Sequence, residues 1–328
     1  MKRQNSAGVC SISSNSNGSR QDWLVCPYRV INSDIVRDGC RRIFALDHDV
    51  VPVPVTLLKK PGELDRFKAQ VLANGTGYLF FQDKLGGEIS VIGTSRSPEL
   101  AFDVTLVEVR PKAEGGFEVS RFGILEIQTM DFHGTYKHAV SNLRDGLRLH
   151  PENFVKILRE NGNWLSDHVE GPNIANVFKR TFYQVMLKFK LSGEGSVAAG
   201  TILALPKSVW DSWQPFLGAP ELELESPRVM RFKAPKSAAA EAPLNAFICV
   251  FDLDASDTAP ISPLRIEHFV RVSPARLAHY AFSEVPENIL QAIQSSGSLL
   301  ARIKARLGVH WPEMDPSQKP ARGRKLKT

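Results

Sequence analysis

Apolar and polar positions divide this chain into a strand-rich middle and a helix-rich second half, and that division is the first thing the sequence predicts. Gly77–Phe81 is one apolar run and residues 87–92 are another. Residues 100–109 and 117–130 follow, separated by the turn-forming Lys112-Ala113-Glu114-Gly115-Gly116. These segments are expected to form a central mixed β-sheet. Upstream, residues 50–58 read as extended, with Pro52 and Pro54 arguing against a central strand. Residues 61–73 read as a short helix with Pro61 in its first turn.

Beyond the sheet the period changes to that of a helix. Residues 136–149 and 151–161 are expected helices, and 173–191 is the clearest, with Asn173 at its cap position. Ile174, Val177, Phe178, Phe182, Val185, Met186 and Phe189 recur at helical spacing and predict a core-facing stripe. The other side carries Lys179, Arg180, Tyr183, Gln184 and Lys188, a basic face suited either to solvent or to a phosphate backbone. A strand over 200–205 and a helix over 207–213 come next, then a surface excursion over 220–241. Residues 246–253 read as an edge or late strand and 266–272 as another. Ser273-Pro274 starts a helix, and 286–307 reads as the last one.

Composition adds limits. The chain has 328 residues, 43% hydrophobic and 23% charged, which is ordinary globular composition, long enough for one large core or two modest domains, and the order of strands and helices makes the expected class α/β. A net charge of +6 fits a polyanionic partner. No apolar run is long enough to span a bilayer, and residues 1–20 hold no apolar signal core, so no membrane role and a cytoplasmic location are expected. The four cysteines Cys10, Cys26, Cys40 and Cys249 are too few for a disulfide scaffold. Cys249 lies inside an apolar strand and reads as a small core residue. The tail 316–328 has five Lys and Arg and no acid, and reads as disordered and able to touch nucleic acid.

The candidate chemistry lies where the strand pattern ends. Phe122-Gly123-Ile124-Leu125 leads into Glu126-Ile127-Gln128, so Glu126 and Gln128 share one face of a strand and Leu125 and Ile127 the other. Asp103 stands in the preceding apolar run. Acids on neighbouring strands can hold a hard divalent cation against a phosphate, and a strand end meeting water would show the same spacing. Other chemistries find little support. Gly193-x-Gly195 follows a helix rather than a strand, and neither a P-loop nor an amino-methyltransferase motif is present.

Longer blocks carry a resemblance. Asp22 through Pro27, Lys84-Leu85-Gly86-Gly87-Glu88, Ser97-Pro98-Glu99 with Phe102-Asp103, Leu125 through Val140, Glu170 through Asn173, and Asn176 through Tyr183 resemble NotI-type restriction endonucleases, a branch of the PD-(D/E)xK nucleases. Weaker similarity runs through Ser208-Val209-Trp210 and the strand from Phe247 to Asp254. The resemblance implies a central mixed sheet flanked by helices with a PD-(D/E)xK core. It implies a type II enzyme that makes Mg²⁺-dependent double-strand cuts at a GC-rich palindromic site in double-stranded DNA. A homodimer would match the two-fold axis of the site, and a separate DNA methyltransferase would protect the host. The implied catalytic set is Asp103, Glu126 and Gln128, with Glu88 as an outlying acid that also reads as a turn residue after Gly86-Gly87. Asp103, Glu126 and the carbonyl of Ile127 would hold Mg²⁺.

Gln128 stands where many members of the superfamily have Lys, and an amide brings no positive charge. Lys84 and Lys137 are expected sources of that charge, while His133 and His138 are expected to pack or face DNA. Similar proteins close a structural iron or zinc site with two further cysteines on an additional N-terminal stretch. Cys10 and Cys26 alone make that site incomplete, Cys40 does not fit as a third ligand, and no stable metal is expected there. A start assigned too late is the favoured explanation for the shortened stretch. The resemblance thus divides the chain into an appendage over 1–45, an endonuclease domain over 46–315 and the basic tail. Two rival readings stay open: a catalytically silent DNA-binding relative, and a repair or recombination nuclease that recognises structure rather than sequence.

Overall fold

The computed structural model describes residues 11–311 apart from 17–18, 32–33, 83–88, 193–197, 234–243, 254–263 and 297. Glu88, Lys84, Cys10 and the tail 316–328 lie outside the described residues.

The apolar runs pair into one nine-stranded mixed sheet. Its members in chain order are β1 (Val53–Pro54), β2 (Gly77–Phe81), β3 (Val104–Pro111), β4 (Phe117–Ile127), β5 (Ala198–Pro206), β6 (Leu222–Ser226), β7 (Val229–Phe232), β8 (Ala246–Leu253) and β9 (Leu264–Arg271). Across the sheet they stand in the order β6-β7-β9-β8-β5-β4-β3-β2-β1. The centre, β4-β5-β8, is parallel, whereas β3 is antiparallel to β4 and β9 to β8. Parallel neighbours need a long crossover, and the segment between β4 and β5 supplies one through the helix Ile174–Lys190.

The sheet is covered on both faces, which makes the fold α/β. Helices α1 (Asp34–Ile43), α3 (Ile174–Lys190) and α4 (Lys207–Trp213) cover it, while α2 (Lys137–Leu149) packs on the helical segments Phe154–Glu160 and Gly162–Leu165. Side chains alternate between two core clusters with the period of an extended chain. Ile202 and Ala204 of β5 and Phe247, Cys249 and Phe251 of β8 join Ile35, Cys40 and Ile43 of α1 on one face. Leu203 and Leu205, with Ile248 and Val250, meet Val177, Phe182 and Phe189 of α3 and Trp210 of α4 on the other. The stripe read from α3 is the buried one, and Asn173 holds the cap position without a side-chain bond to the helix.

Several expectations are corrected. Residues 87–92 and 100–109 were expected as strands of the sheet, but Ile89–Val91 and Leu100–Phe102 form a ribbon of their own, and only Val104–Pro111 joins the main ladder. Residues 246–253 are not an edge strand: β8 is paired on both sides and its first six residues are buried. A strand buried on both faces has no polar alternation to display, so its apolar run is the signal of a central position. The excursion over 220–241 contains β6 and β7, which extend the sheet. The last helix is observed as two, Val285–Ser296 and Ser298–Gly308.

Described residues of the stretch 1–45, expected as an appendage, contribute to the core. Trp23 is wholly buried in the cluster beneath α3, and Cys40 and Ile43 of α1 are buried against the sheet. The close fit of α1 rests on Gly123 of β4, where a Cβ would come within 2.1 Å of Ile43 Cγ2.

Candidate active site

Strands β3 and β4 are antiparallel with Val104 opposite Leu125, so the residue before β3 lies beside the end of β4. That residue is Asp103. The chain bends there as it leaves the Ile89–Val91 ribbon, which contradicts the expectation of Asp103 inside one continuous strand. The bend frees the main chain for the neighbouring strand. The Asp103 N–H donates to Glu126 Oε1 at 3.3 Å, and Asp103 Oδ2 accepts from the Ile127 N–H at 2.9 Å. Each acid is thereby tied to the other's strand.

Glu126 is 5% exposed and points away from Leu125 and Ile127, as the alternation predicts. It faces α3. Lys188, 3% exposed, reaches from that helix and donates its Nζ to Glu126 Oε2. Its Nζ also lies 5.9 Å from the centroid of the Phe102 ring. This corrects the placement of Lys188 on an outer basic face. Thr181, Val185 and Lys188 follow one another at helical spacing and are all buried. They make the rim of the core stripe, and a carboxylate opposite lets an ammonium be buried there.

Gln128 is the first residue past β4, with its N–H donating to the Ala204 carbonyl at 3.1 Å. Its side chain is held at both ends. The Thr181 hydroxyl donates to Oε1 at 2.6 Å, and Nε2 donates to the Thr129 carbonyl at 2.5 Å. The same stripe of α3 thus meets both polar positions that follow each other on one face of β4.

The electrostatics follow from this crowding. Burial, and then the negative charge of Asp103, push the Glu126 carboxyl up to about 7 while Lys188 acts against the rise. Burial also raises Asp103, opposed by the Ile127 N–H and by Lys188. When both acids are ionised, one ammonium leaves the group a net negative charge in a dry place. Two adjacent carboxylates short of a counter-charge are a donor set that fits a hard divalent cation such as Mg²⁺.

Among the described residues, the cation beside Glu126 is Lys188, whereas Lys137 is exposed at the start of α2. His133 and His138 are both exposed. Cys26 is half-buried, and Cys40 is a buried core thiol pushed up to about 12, unsuited to act as a thiolate ligand. The sequence signal for Lys188 and Thr181 was their helical spacing from Val185, which a reading of lysine as a surface residue conceals. A scan against protein-family models and a comparison with curated proteins give no match to this chain.

Proposed function

We propose that the chain is a Mg²⁺-dependent type II site-specific deoxyribonuclease with a PD-(D/E)xK core, cutting both strands of a GC-rich palindromic site. The observation that carries this reading is the Asp103–Glu126 pair, held together through the main chain at adjoining strand ends. Asp103, Glu126 and the Ile127 carbonyl would hold Mg²⁺, with Glu88 as an outlying acid. Bound there, the ion supplies Lewis acidity toward a phosphoryl oxygen and an acidified water.

The chain's own groups have separate tasks. Lys188 keeps Glu126 oriented, and it brings the positive charge that Gln128 lacks to the neighbourhood of the reacting phosphate. Gln128, fixed by Thr181, can orient water or a phosphate oxygen and moves no proton. The net charge of +6 supports double-stranded DNA as the partner. A palindrome calls for a homodimer, and Phe282, Leu300 and Trp311, each more than half exposed, offer apolar surface for one. A separate methyltransferase would protect the host DNA, and the bacterial cytoplasm is the matching location.

One observation favours the rival reading of a silent DNA-binding relative: Glu126 and Gln128 already have partners in Lys188 and Thr181. Plasmid digestion with Mg²⁺ separates the readings. Discrete bands support the restriction enzyme, a smear means a relaxed nuclease, and a gel shift without cuts means a binder.

A further inference from the structure

Away from the acids of β4, a second group of ligand-type side chains converges. Gln128 and Thr129 lead into the short strand Phe132–Gly134, which pairs antiparallel with Val169–Pro172. Helix α2 begins just after the first strand, and the loop Asp167-His168 just precedes the second. His138 of α2, Asp167 and His168 place one ligand atom each within 4.8 Å of the others, the one such group of three among the described residues. The two imidazole rings lie 4.4 Å apart between centroids and tilted by 42°. His168 Nε2 is 3.6 Å from Asp167 Oδ1, close to the separation of about 3.4 Å that two donors have on a tetrahedral ion at bond lengths near 2.0–2.1 Å.

The surroundings hold these donors in place. Asn142, one turn along α2 from His138, donates its amide to Asp167 Oδ2 at 3.1 Å and leaves Oδ1 turned toward the histidine. Such an outer partner is what orients a ligating carboxylate. His168 has φ of 55°, a left-handed conformation that is strained for a non-glycine residue. It is held there by the Thr135 N–H, which donates to the His168 carbonyl at 2.9 Å. That carbonyl sits where a Cβ on Gly134 would be, 2.1 Å away, and Gly134 itself has φ of 82°.

We infer that His138, Asp167 and His168 bind a transition-metal dication of the zinc type. Two imidazole nitrogens and one carboxylate oxygen suit Zn²⁺, whereas Mg²⁺ prefers oxygen alone. Both histidines are exposed, so a fourth position is open to water. The ion ties the start of α2 to the loop before Val169 and braces the segment that leaves Gln128. This site is independent of the proposed nuclease chemistry and of Cys10 and Cys26.

The test is a metal titration of the full chain after treatment with a chelator. Co²⁺ is followed by its visible absorption, and Zn²⁺ by elemental analysis after equilibrium dialysis. With Mg²⁺ in excess to fill the Asp103–Glu126 site, wild type and Cys26→Ser are expected to take up one equivalent with the absorption of a nitrogen–oxygen site. His138→Ala and Asp167→Asn are expected to lose it while the melting temperature of the metal-free protein stays the same. Asn142→Ala should weaken binding roughly 10- to 100-fold. Equal uptake by wild type and His138→Ala, a thiolate charge-transfer band, or no uptake by wild type from micromolar metal would each overturn the assignment.

Discussion

Lys188 of α3 and Glu126 of β4 form an ion pair inside the protein, with side chains only 3% and 7% exposed. Removing Lys188 leaves the Glu126 carboxyl buried without its counter-charge or its hydrogen-bond donor. Lys188→Met is therefore expected to destabilise the fold by about 3–5 kcal/mol. Adding Glu126→Leu should restore most of that loss, because an apolar pair of similar volume is often neutral. Urea unfolding of both variants measures the difference, and equal stability of the single and double variants would contradict it.

Asp103→Asn removes one of the two charges that call for a cation. Mg²⁺ is expected to raise the melting temperature of the wild type at pH 8, with stabilisation of about 2.7 kcal/mol at a concentration of 100 Kd. The variant should show neither the shift nor plasmid cleavage, yet still retard specific DNA in a gel. Cleavage by Asp103→Asn at the wild-type rate would remove Asp103 from the site.

Glu108 and Glu126 should act on stability in opposite pH ranges. Glu108 on β3 faces Arg121 on β4, accepts from its Nε and Nη2 at 2.8 and 2.7 Å, and also pairs with Arg110 at 3.2 Å. Despite burial, hydrogen bonds from Arg121 and Ser120 and the nearby guanidinium charges hold its carboxyl down to about 2. A folded value below the ordinary 4.5 stabilises the protein above about pH 4.5 and is lost as the pH falls toward 2. The full loss is about 3 kcal/mol. Glu126, raised to about 7, binds its proton more tightly when folded, so its contribution is present below 4.5 and is lost as the pH rises through 7. Unfolding midpoints across pH should show a shallower acid loss in Glu108→Gln. They should show a flatter profile between 4.5 and 7 in Glu126→Gln.

Gly123→Ala tests how α1 is seated. The added methyl meets Ile43 Cγ2 at 2.1 Å, and the Gly200 carbonyl lies 3.3 Å from it. Overpacking of this kind costs about 1–3 kcal/mol. Ile43→Ala in the same chain should relieve the clash, so the pair is expected to be less destabilised than the two single losses summed. Strict additivity in thermal unfolding would count against the contact.

Much of the site was legible because strand alternation is local. Glu126 is turned from Leu125 and Ile127 by geometry that needs no knowledge of the rest of the fold. The apolar stripe of α3 was legible for the same reason. Lys188 was not, since its burial depends on an acid 62 residues earlier. The bend at Asp103 was hidden by apolar neighbours on both sides, which read as one strand. The hairpin of β6 and β7 was hidden by charge. Glu223 pairs with its ladder partner Arg231 at 2.7 Å and Glu225 reaches past β7 to Arg271 of β9 at 2.9 Å, and these charged partners look like surface residues when read along the chain.

Those same charges have a bearing on how copies of the chain can meet. The outermost strand β6 displays Glu223 and Glu225, and the opposite margin, β1, is two residues long and ends in Pro54. Both rims therefore resist the backbone pairing through which sheets in separate molecules fuse. Self-association of the main sheet is left to side chains, on helical surface such as that bearing Phe282 and Leu300, and so is open to adjustment one residue at a time.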